Sequence, residues 1–277
     1  MKFEILQIKY VCYFKDGGFK TGCVYEIYGE AGTGKSQLAM QQCINVTLPR
    51  RIGGLEGKAV YLDCDGGLSF RRLDEICQAT KAMVLPVLNN VNGDQERFGQ
   101  RHLLDGVLYK RIDSLQSLVD GIDELASKVL PNNSNVRLLV IDSIAYYFRY
   151  QTIGDTLPSN ANQHAFLYTL IQRLNMLAHQ WGLIVLLTNQ VTTKSNAKDD
   201  QELLVPALGE SWSHCCTTSI SLKYCDNDRM TSVETNRDAN NIVRKIQVEK
   251  SSFLAKQEAY FVVTKQGVRD STKPLDL

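Results

Sequence analysis

The sequence predicts an α/β domain: a mostly parallel, twisted sheet with helices on both faces and an antiparallel extension at its carboxyl end. Three observations predict it. Short apolar runs that end in polar residues alternate with stretches of helical spacing, the pattern of buried parallel strands joined by crossover helices. The first of these runs leads into a glycine-rich turn and then a helix, Tyr28-Gly29-Glu30-Ala31-Gly32-Thr33-Gly34-Lys35-Ser36. The last quarter of the chain holds strand-like runs with no helical stretch between them.

In order along the chain, Met1 to Phe14 is hydrophobic and mixed, a strand or an irregular lead-in, and Asp16 to Gly22 is rich in turn residues. Cys23 to Tyr28 reads as a strand, and Gln37 to about Leu48 as a helix that stops before Pro49. Between them, every fixed position of G-x-x-x-x-G-K-[ST] is filled. Gly29, Gly32 and Gly34 let backbone N–H groups approach phosphate oxygens with no side chain in the way. The helix N-terminus adds about half a positive charge at the same place. Glu30, Ala31 and Thr33 complete the cradle, Lys35 is aimed at the outer phosphates, and the Ser36 hydroxyl is a ligand for Mg²⁺.

Pro49 to Gly57 is a loop, and Ala59 to Asp63 a second buried strand, broken by Asp65-Gly66-Gly67. A helix containing Arg71, Arg72 and Leu73 follows, then a polar surface loop from Asn89 to Gly99 and a strand from Gly106 to Ile112. Ser114 to about Val129 has helical spacing, and Pro131 to Asn135 is a turn cluster. Leu138-Leu139-Val140-Ile141 ends in Asp142, an acid at the carboxyl end of a buried strand, where open α/β sheets place their ligands. Such an aspartate can cap a turn; downstream of a phosphate loop it is expected to hold Mg²⁺, usually through water.

Phe148 to Asn160 reads as a loop, and Phe166 to Trp181 as an amphipathic helix stopped by Gly182. Leu183 to Thr188 is a buried strand, followed by Asn189-Gln190, amides placed to sense a γ-phosphate or its water. Val191 to Trp212 reads as one long polar loop, a length that marks function or disorder. Thr217 to Tyr224, Arg244 to Lys250 and Ala259 to Lys265 read as strands, with a polar loop from Asp226 to Asn241.

Composition excludes several classes. The 277 residues suffice for one large domain or two small ones, and a net charge of +1 does not suit a purely electrostatic nucleic-acid binder. The eight cysteines form no C-x-x-C pair or zinc spacing, and Cys43, Cys64 and Cys216 sit among apolar neighbours as reduced thiols do. That composition fits a cytosolic or nuclear compartment. No apolar run reaches membrane length, the first residues lack a signal-peptide cleavage pattern, and Asn45-Val46-Thr47 falls on a helix, an accidental acceptor pattern.

The order of these pieces resembles the RecA-type recombinase ATPases in their eukaryotic form. The resemblance rests on Gly17-Gly18, Gly29 to Ser36, Ala59 to Gly66, Leu139 to Ser143, Thr188 to Val191, Pro206 to Gly209, His214, Thr217-Thr218 and Gly267 to Asp270. Leu48 to Gly57 and Val205 to Trp212 look most like the X-ray repair cross-complementing branch of the recombinase paralogs. It implies a RecA-like ATPase domain over residues 16–277, with 1–15 a lead-in in place of the family's N-terminal helical domain and its Phe-x-x-Ala linker. It implies ATP and Mg²⁺ as cofactors and a nuclear protein acting with a sister paralog on single-stranded DNA or recombination junctions.

Position by position, Lys35, Asp65 and Gln190 would be catalytic: Asp65 stands where the family has a water-orienting glutamate, and Gln190 links the γ-phosphate to a DNA-binding loop. Arg72 matches an arginine that stacks on adenine. Arg149, Lys194 and Lys198 fall in the two DNA loops, and His214 near a neighbour's nucleotide. Lys250 replaces an aspartate that caps the neighbour's ATP; it would reach across the interface or be a plain surface residue. The departures imply slow hydrolysis, because Asp65 is one methylene short and a displacement of about 1 Å costs on the order of a hundredfold. They also imply a weak grip on DNA. Asp155 and Ala161 replace basic residues, and Lys194 and Lys198 are outnumbered by Asp199, Asp200 and Glu202. The alternatives are an active strand-exchange recombinase or a helicase-type motor on the same fold.

Overall fold

The computed structural model describes residues 18–88, 100–133, 135–149, 160–195, 202–225 and 242–271. Its main sheet has nine strands, and a separate hairpin supplies two more. In chain order the strands are β1 (Cys23–Gly29), β2 (Lys58–Asp63), β3 (Val107–Arg111), β4 (Val136–Asp142), β5 (Ile184–Asn189), the hairpin β6 (Val191–Ser195) and β7 (Glu202–Pro206), β8 (Thr218–Tyr224), β9 (Arg244–Ser251), β10 (Glu258–Thr264) and β11 (Gly267–Ser271). The helices are α1 (Lys35–Asn45), α2 (Phe70–Leu88), α3 (Gln100–Asp105), α4 (Leu115–Glu124), α5 (Leu130–Asn132), α6 (Tyr146–Arg149), α7 (Asn160–Trp181) and α8 (Glu210–Cys215).

Across the sheet the strands run β3-β2-β4-β5-β1-β8-β9-β10-β11. The six from β3 to β8 are parallel, and β9, β10 and β11 continue antiparallel. The predicted parallel sheet with an antiparallel extension is the one observed.

The period-two alternation of each strand divides its side chains between two cores. Tyr25, Ile27, Ala59, Tyr61, Leu138 and Val140 pack on one face with Leu38 and Ile44 of α1, Ile76 of α2 and Phe261 of β10. Val24, Val60, Leu62, Leu139, Ile141, Val185 and Leu187 pack on the other with Leu118 and Ile122 of α4, Leu174 of α7 and Trp212 of α8. Burial on both faces explains why β4 and β5 read as continuous apolar runs rather than alternating ones. Each fully buried Leu or Ile contributes about 1.5–3 kcal/mol. The cysteines of the described residues are free thiols, with Cys43, Cys64 and Cys216 among the buried residues.

The structure departs from the sequence reading in four places. Residues 191–212 are not one loop: β6 and β7 form an antiparallel hairpin, and α8 follows. The polar composition hid two strand-forming cores, Val191-Thr192-Thr193 and Leu203-Leu204-Val205. α7 starts at Asn160 and α6 includes Phe148, so both ends of the expected 148–160 loop are helical, while residues 150–159 lie outside the described residues. The helix after Ser114 passes through a π-helical turn, Leu125–Val129, into α5, which contains Pro131. That wider turn accommodates a proline that lacks an N–H and would crowd the preceding carbonyls. Gly267 to Ser271 is a further strand, β11, closing a hairpin with β10. The expected loops at 89–99 and 226–241 and the lead-in 1–15 lie outside the described residues.

Candidate nucleotide-binding site

Parallel register brings the chemistry together. Tyr28 on β1 aligns with Asn189 on β5, Leu187 on β5 with Ile141 on β4, and Asp142 on β4 with Asp63 on β2. The phosphate loop, Gln190, Asp142 and the Asp65 turn therefore leave the sheet side by side, at the carboxyl ends of four adjacent strands.

The phosphate loop is held by its own backbone and by β8. The Thr33 hydroxyl donates to the Glu30 carbonyl over 2.8 Å, and the Thr33 amide folds back on the same oxygen at 3.3 Å. A Cβ on Gly29 would lie 2.3 Å from the Leu222 carbonyl oxygen, so only glycine lets the loop leave the sheet there. Gly34 has φ +101 as the N-cap of α1, a left-handed conformation that glycine adopts without strain. Tyr224, at the end of β8, donates its hydroxyl to the Ala31 carbonyl at 3.3 Å. Lys35 Nζ donates to the Gly29 and Glu30 carbonyls, each at 2.8 Å, so its ammonium is directed over the loop. Ser36 is half-buried in the first turn of α1.

Asp142 is buried at the end of β4, with both carboxylate oxygens engaged. Tyr61 donates its hydroxyl to Oδ2 and Thr188 to Oδ1. Beside it the Ser143 hydroxyl is buried with no hydrogen-bond partner among the described residues. The donor set fits a nucleotide with a divalent cation: a glycine loop packed on β8 too closely for a side chain at Gly29, a lysine over it, a half-buried serine hydroxyl and a fixed carboxylate. Among the described residues, no cluster of three or more His, Cys, Asp or Glu could hold a metal unaided.

Asp65 stands on the turn after β2. Its Oδ1 accepts from the Gly67 amide at 2.9 Å, an Asx turn. Burial, and then the neighbouring Asp142 carboxylate, push the Asp65 carboxyl above the usual carboxylate range. The turn is built on Asp63, a residue to which sequence reasoning gave no role. Asp63 accepts from the Gly66 amide at 2.8 Å and the Tyr109 hydroxyl at 3.2 Å, and pairs with Arg111 at 3.4 Å.

Gln190 is half-buried where β5 ends and β6 begins, and its carbonyl accepts from the Ala207 amide at 2.8 Å, closing the base of the hairpin. Arg72 is drawn into contacts that the sequence did not signal. Nε donates to Gln37 at 2.7 Å, and Nη1 to Glu75 at 3.1 Å and the Lys265 carbonyl at 2.7 Å. Nη2 donates to the Thr264 carbonyl. The guanidinium thus bridges α2, α1 and the β10–β11 turn.

Lys250 on β9 donates to the carbonyls of Ser213, His214 and Cys216 at 3.1, 2.7 and 3.0 Å, so its ammonium stoppers the C-terminal end of α8. The His214 side chain is exposed on α8. Arg149 closes α6, Lys194 lies on β6 opposite Leu203, and Lys198 lies outside the described residues.

Sequence reasoning missed Glu26. This β1 carboxylate is fully buried and accepts from Asn189 Nδ2 at 2.7 Å and from the hydroxyls of Ser213 and Ser219 at 2.7 and 3.0 Å. Burial pushes its carboxyl up, against the pull of the hydrogen bonds from Ser213, Asn189 and Ser219. The available signal was a lone acid inside an apolar strand, at Val24-Tyr25-Glu26-Ile27.

Residues 9–271 match the Rad51 family. The chain is 32% identical over 216 residues to "DNA repair protein RAD51 homolog 3" of Dictyostelium discoideum, covering 77% of this chain and 55% of that protein. It is 31% identical over 261 residues to the RAD51 homolog 3 of Cricetulus griseus, covering 92% of this chain and 65% of that protein. To "DNA repair protein RAD51 homolog 2" of Mus musculus it is 30% identical over 234 residues, covering 77% and 63%. These matches span between 55% and 65% of the relatives' own length.

Proposed function

The chain belongs to the Rad51 family, and from that premise we propose that it is an ATP-binding recombinase paralog that hydrolyses ATP slowly. It assists homologous recombination and double-strand-break repair in the nucleus. There it acts with a sister paralog on single-stranded DNA or recombination junctions. The relatives named as DNA repair proteins support the pathway. The observation that carries the reading is the convergence of the Gly29–Ser36 loop, Asp142 and Gln190 on one edge of the sheet. Among the described residues no helix is long and apolar enough to cross a membrane.

In this reading the loop amides and the α1 N-terminus bind the phosphates, and Lys35 exchanges the Gly29 and Glu30 carbonyls for phosphate oxygens. Ser36 and Asp142 hold Mg²⁺, which when bound neutralises phosphate charge. The hydroxyls of Tyr61 and Thr188 fix the orientation of Asp142. Asp65 orients the attacking water, but its short side chain is already engaged by the Gly67 amide, which keeps turnover slow. Gln190 meets the γ-phosphate and begins the hairpin, so nucleotide state reaches the DNA-facing segment that carries Lys194. Nucleotide then serves mainly as a clamp between this chain and its sister.

The test is nucleotide binding and turnover by the purified chain with its natural companion, in magnesium buffer, with and without single-stranded DNA. Tight ATP binding that Lys35→Ala abolishes, with slow turnover, is the expected result. Absence of binding, or full affinity in Lys35→Ala, overturns the site. DNA-stimulated turnover at ordinary recombinase rates replaces the clamp with an active strand-exchange enzyme.

A further inference from the structure

The β6–β7 hairpin is anchored at both feet to one buried side chain. Before the hairpin, Asn189 donates its amide to Glu26 Oε1 at 2.7 Å, while its own Oδ1 accepts the Gln190 amide at 2.8 Å. After the hairpin, Ser213 of α8 donates its hydroxyl to Glu26 Oε2 at 2.7 Å. Between these points Ala207 donates to the Gln190 carbonyl, so the two feet also hold each other. Lys250 grips the carbonyl end of α8, and Trp212 is sunk in the core, so α8 moves only as a unit with its anchor.

Glu26 sits three residues before Gly29, on a strand whose neighbours on both sides are parallel and in register with it: Leu187 on β5 and Ser219 on β8. A buried carboxylate that accepts three hydrogen bonds is costly to move, since each broken bond leaves a charged group unsatisfied in a low dielectric. The strand leading into the phosphate loop and both ends of the hairpin thus share one rigid joint. Gln190 joins the two feet through its backbone alone, its amide to Asn189 and its carbonyl to the Ala207 amide, whereas the Ser213 contact with Glu26 does not pass through Gln190.

We propose that Glu26 is a positioning residue that ties the β6–β7 hairpin to the strand entering the phosphate loop, so that nucleotide occupancy orders the hairpin through Glu26, Asn189 and Ser213. The inference rests on the nucleotide reading above and deepens it. It predicts that the hairpin's response is lost when the second foot is cut, even though Gln190 and the phosphate loop are intact.

The test is hydrogen exchange of the full chain with its companion, with and without a non-hydrolysable ATP analogue and Mg²⁺. The variants are Ser213→Ala, Glu26→Ala and Glu26→Gln. In the wild-type chain the analogue slows exchange over residues 191–195 and 202–206 by about fivefold or more. Ser213→Ala and Glu26→Ala still bind the analogue, but the slowing is lost. Glu26→Gln restores it, because the amide oxygen accepts from Asn189 and the amide N–H groups donate to serine hydroxyls that turn to accept. Persistence of the slowing in Ser213→Ala and Glu26→Ala overturns the inference, as does a wild-type chain that binds the analogue with no response in the hairpin. A wild-type chain that binds no analogue overturns the nucleotide reading and this inference with it. Should Glu26→Ala not fold, Ser213→Ala alone decides.

Discussion

The Tyr61 hydroxyl donates to the Asp142 carboxylate, joining the interior of β2 to the end of β4. Both residues are buried, and Thr188 supplies the second donor. Tyr61→Phe would remove one hydroxyl and leave a buried carboxylate oxygen without its partner, a loss of about 1–3 kcal/mol in stability. The larger expectation concerns the metal. Mg²⁺-dependent ATP affinity falls several-fold, whereas affinity measured in excess chelator stays near wild type. Titration calorimetry in the two buffers checks this, and an equal fall in both would show that Tyr61 does not act through Asp142.

Asp65→Glu is expected to raise ATP turnover several-fold with little change in ATP affinity. The longer side chain gives up the Asx turn with the Gly67 amide but gains the reach that water positioning requires. Single-turnover hydrolysis reads the chemical step directly. An unchanged rate would show that the reach of the side chain at position 65 does not limit the chemical step.

Lys250→Met tests whether the lysine acts within the chain or across an interface. Its ammonium already serves three carbonyls at the end of α8, so the isolated chain should lose about 1–2 kcal/mol. The urea midpoint of the chain alone gives the answer. Unchanged stability alone, with weaker nucleotide binding only beside the companion, would favour the cross-subunit role.

Glu26 makes stability depend on pH. Burial raises its folded-state carboxyl above the unfolded value. Between those two values the folded chain binds more protons than the unfolded one, so stability falls as pH rises through that window. Asp65 is raised by burial and by Asp142 and contributes with the same sign. Urea unfolding across the window should show a falling slope in the wild-type chain, part of which disappears in Glu26→Gln and a further part in Asp65→Asn. A slope unchanged in Glu26→Gln would show that the carboxyl stays in the ordinary range.

Much of the site was legible in the sequence because its chemistry is contiguous. The phosphate loop, Gly29–Ser36, is one run of eight residues whose backbone does the binding, and Asp142 and Gln190 each end an apolar strand. The hairpin was not legible because its two strand cores are short and set among charged residues, so local composition outweighed propensity there. The contacts of Arg72 and Lys250 were equally hidden. A long cationic side chain finds whichever carbonyls the fold presents, and those of Lys265 and His214 are far away in the chain.

Local pattern was enough to specify the sheet, the phosphate loop and the acid beside it, because strand period, glycine conformation and helix-terminal charge act over a few neighbouring residues. What surrounds them is set only by the packed fold. Glu26 meets Asn189 and Ser213 across 163 and 187 residues of chain, and Tyr61 meets Asp142 across 81. Buried polar groups must find partners wherever the packed strands bring donors within reach, and no local pattern encodes that encounter.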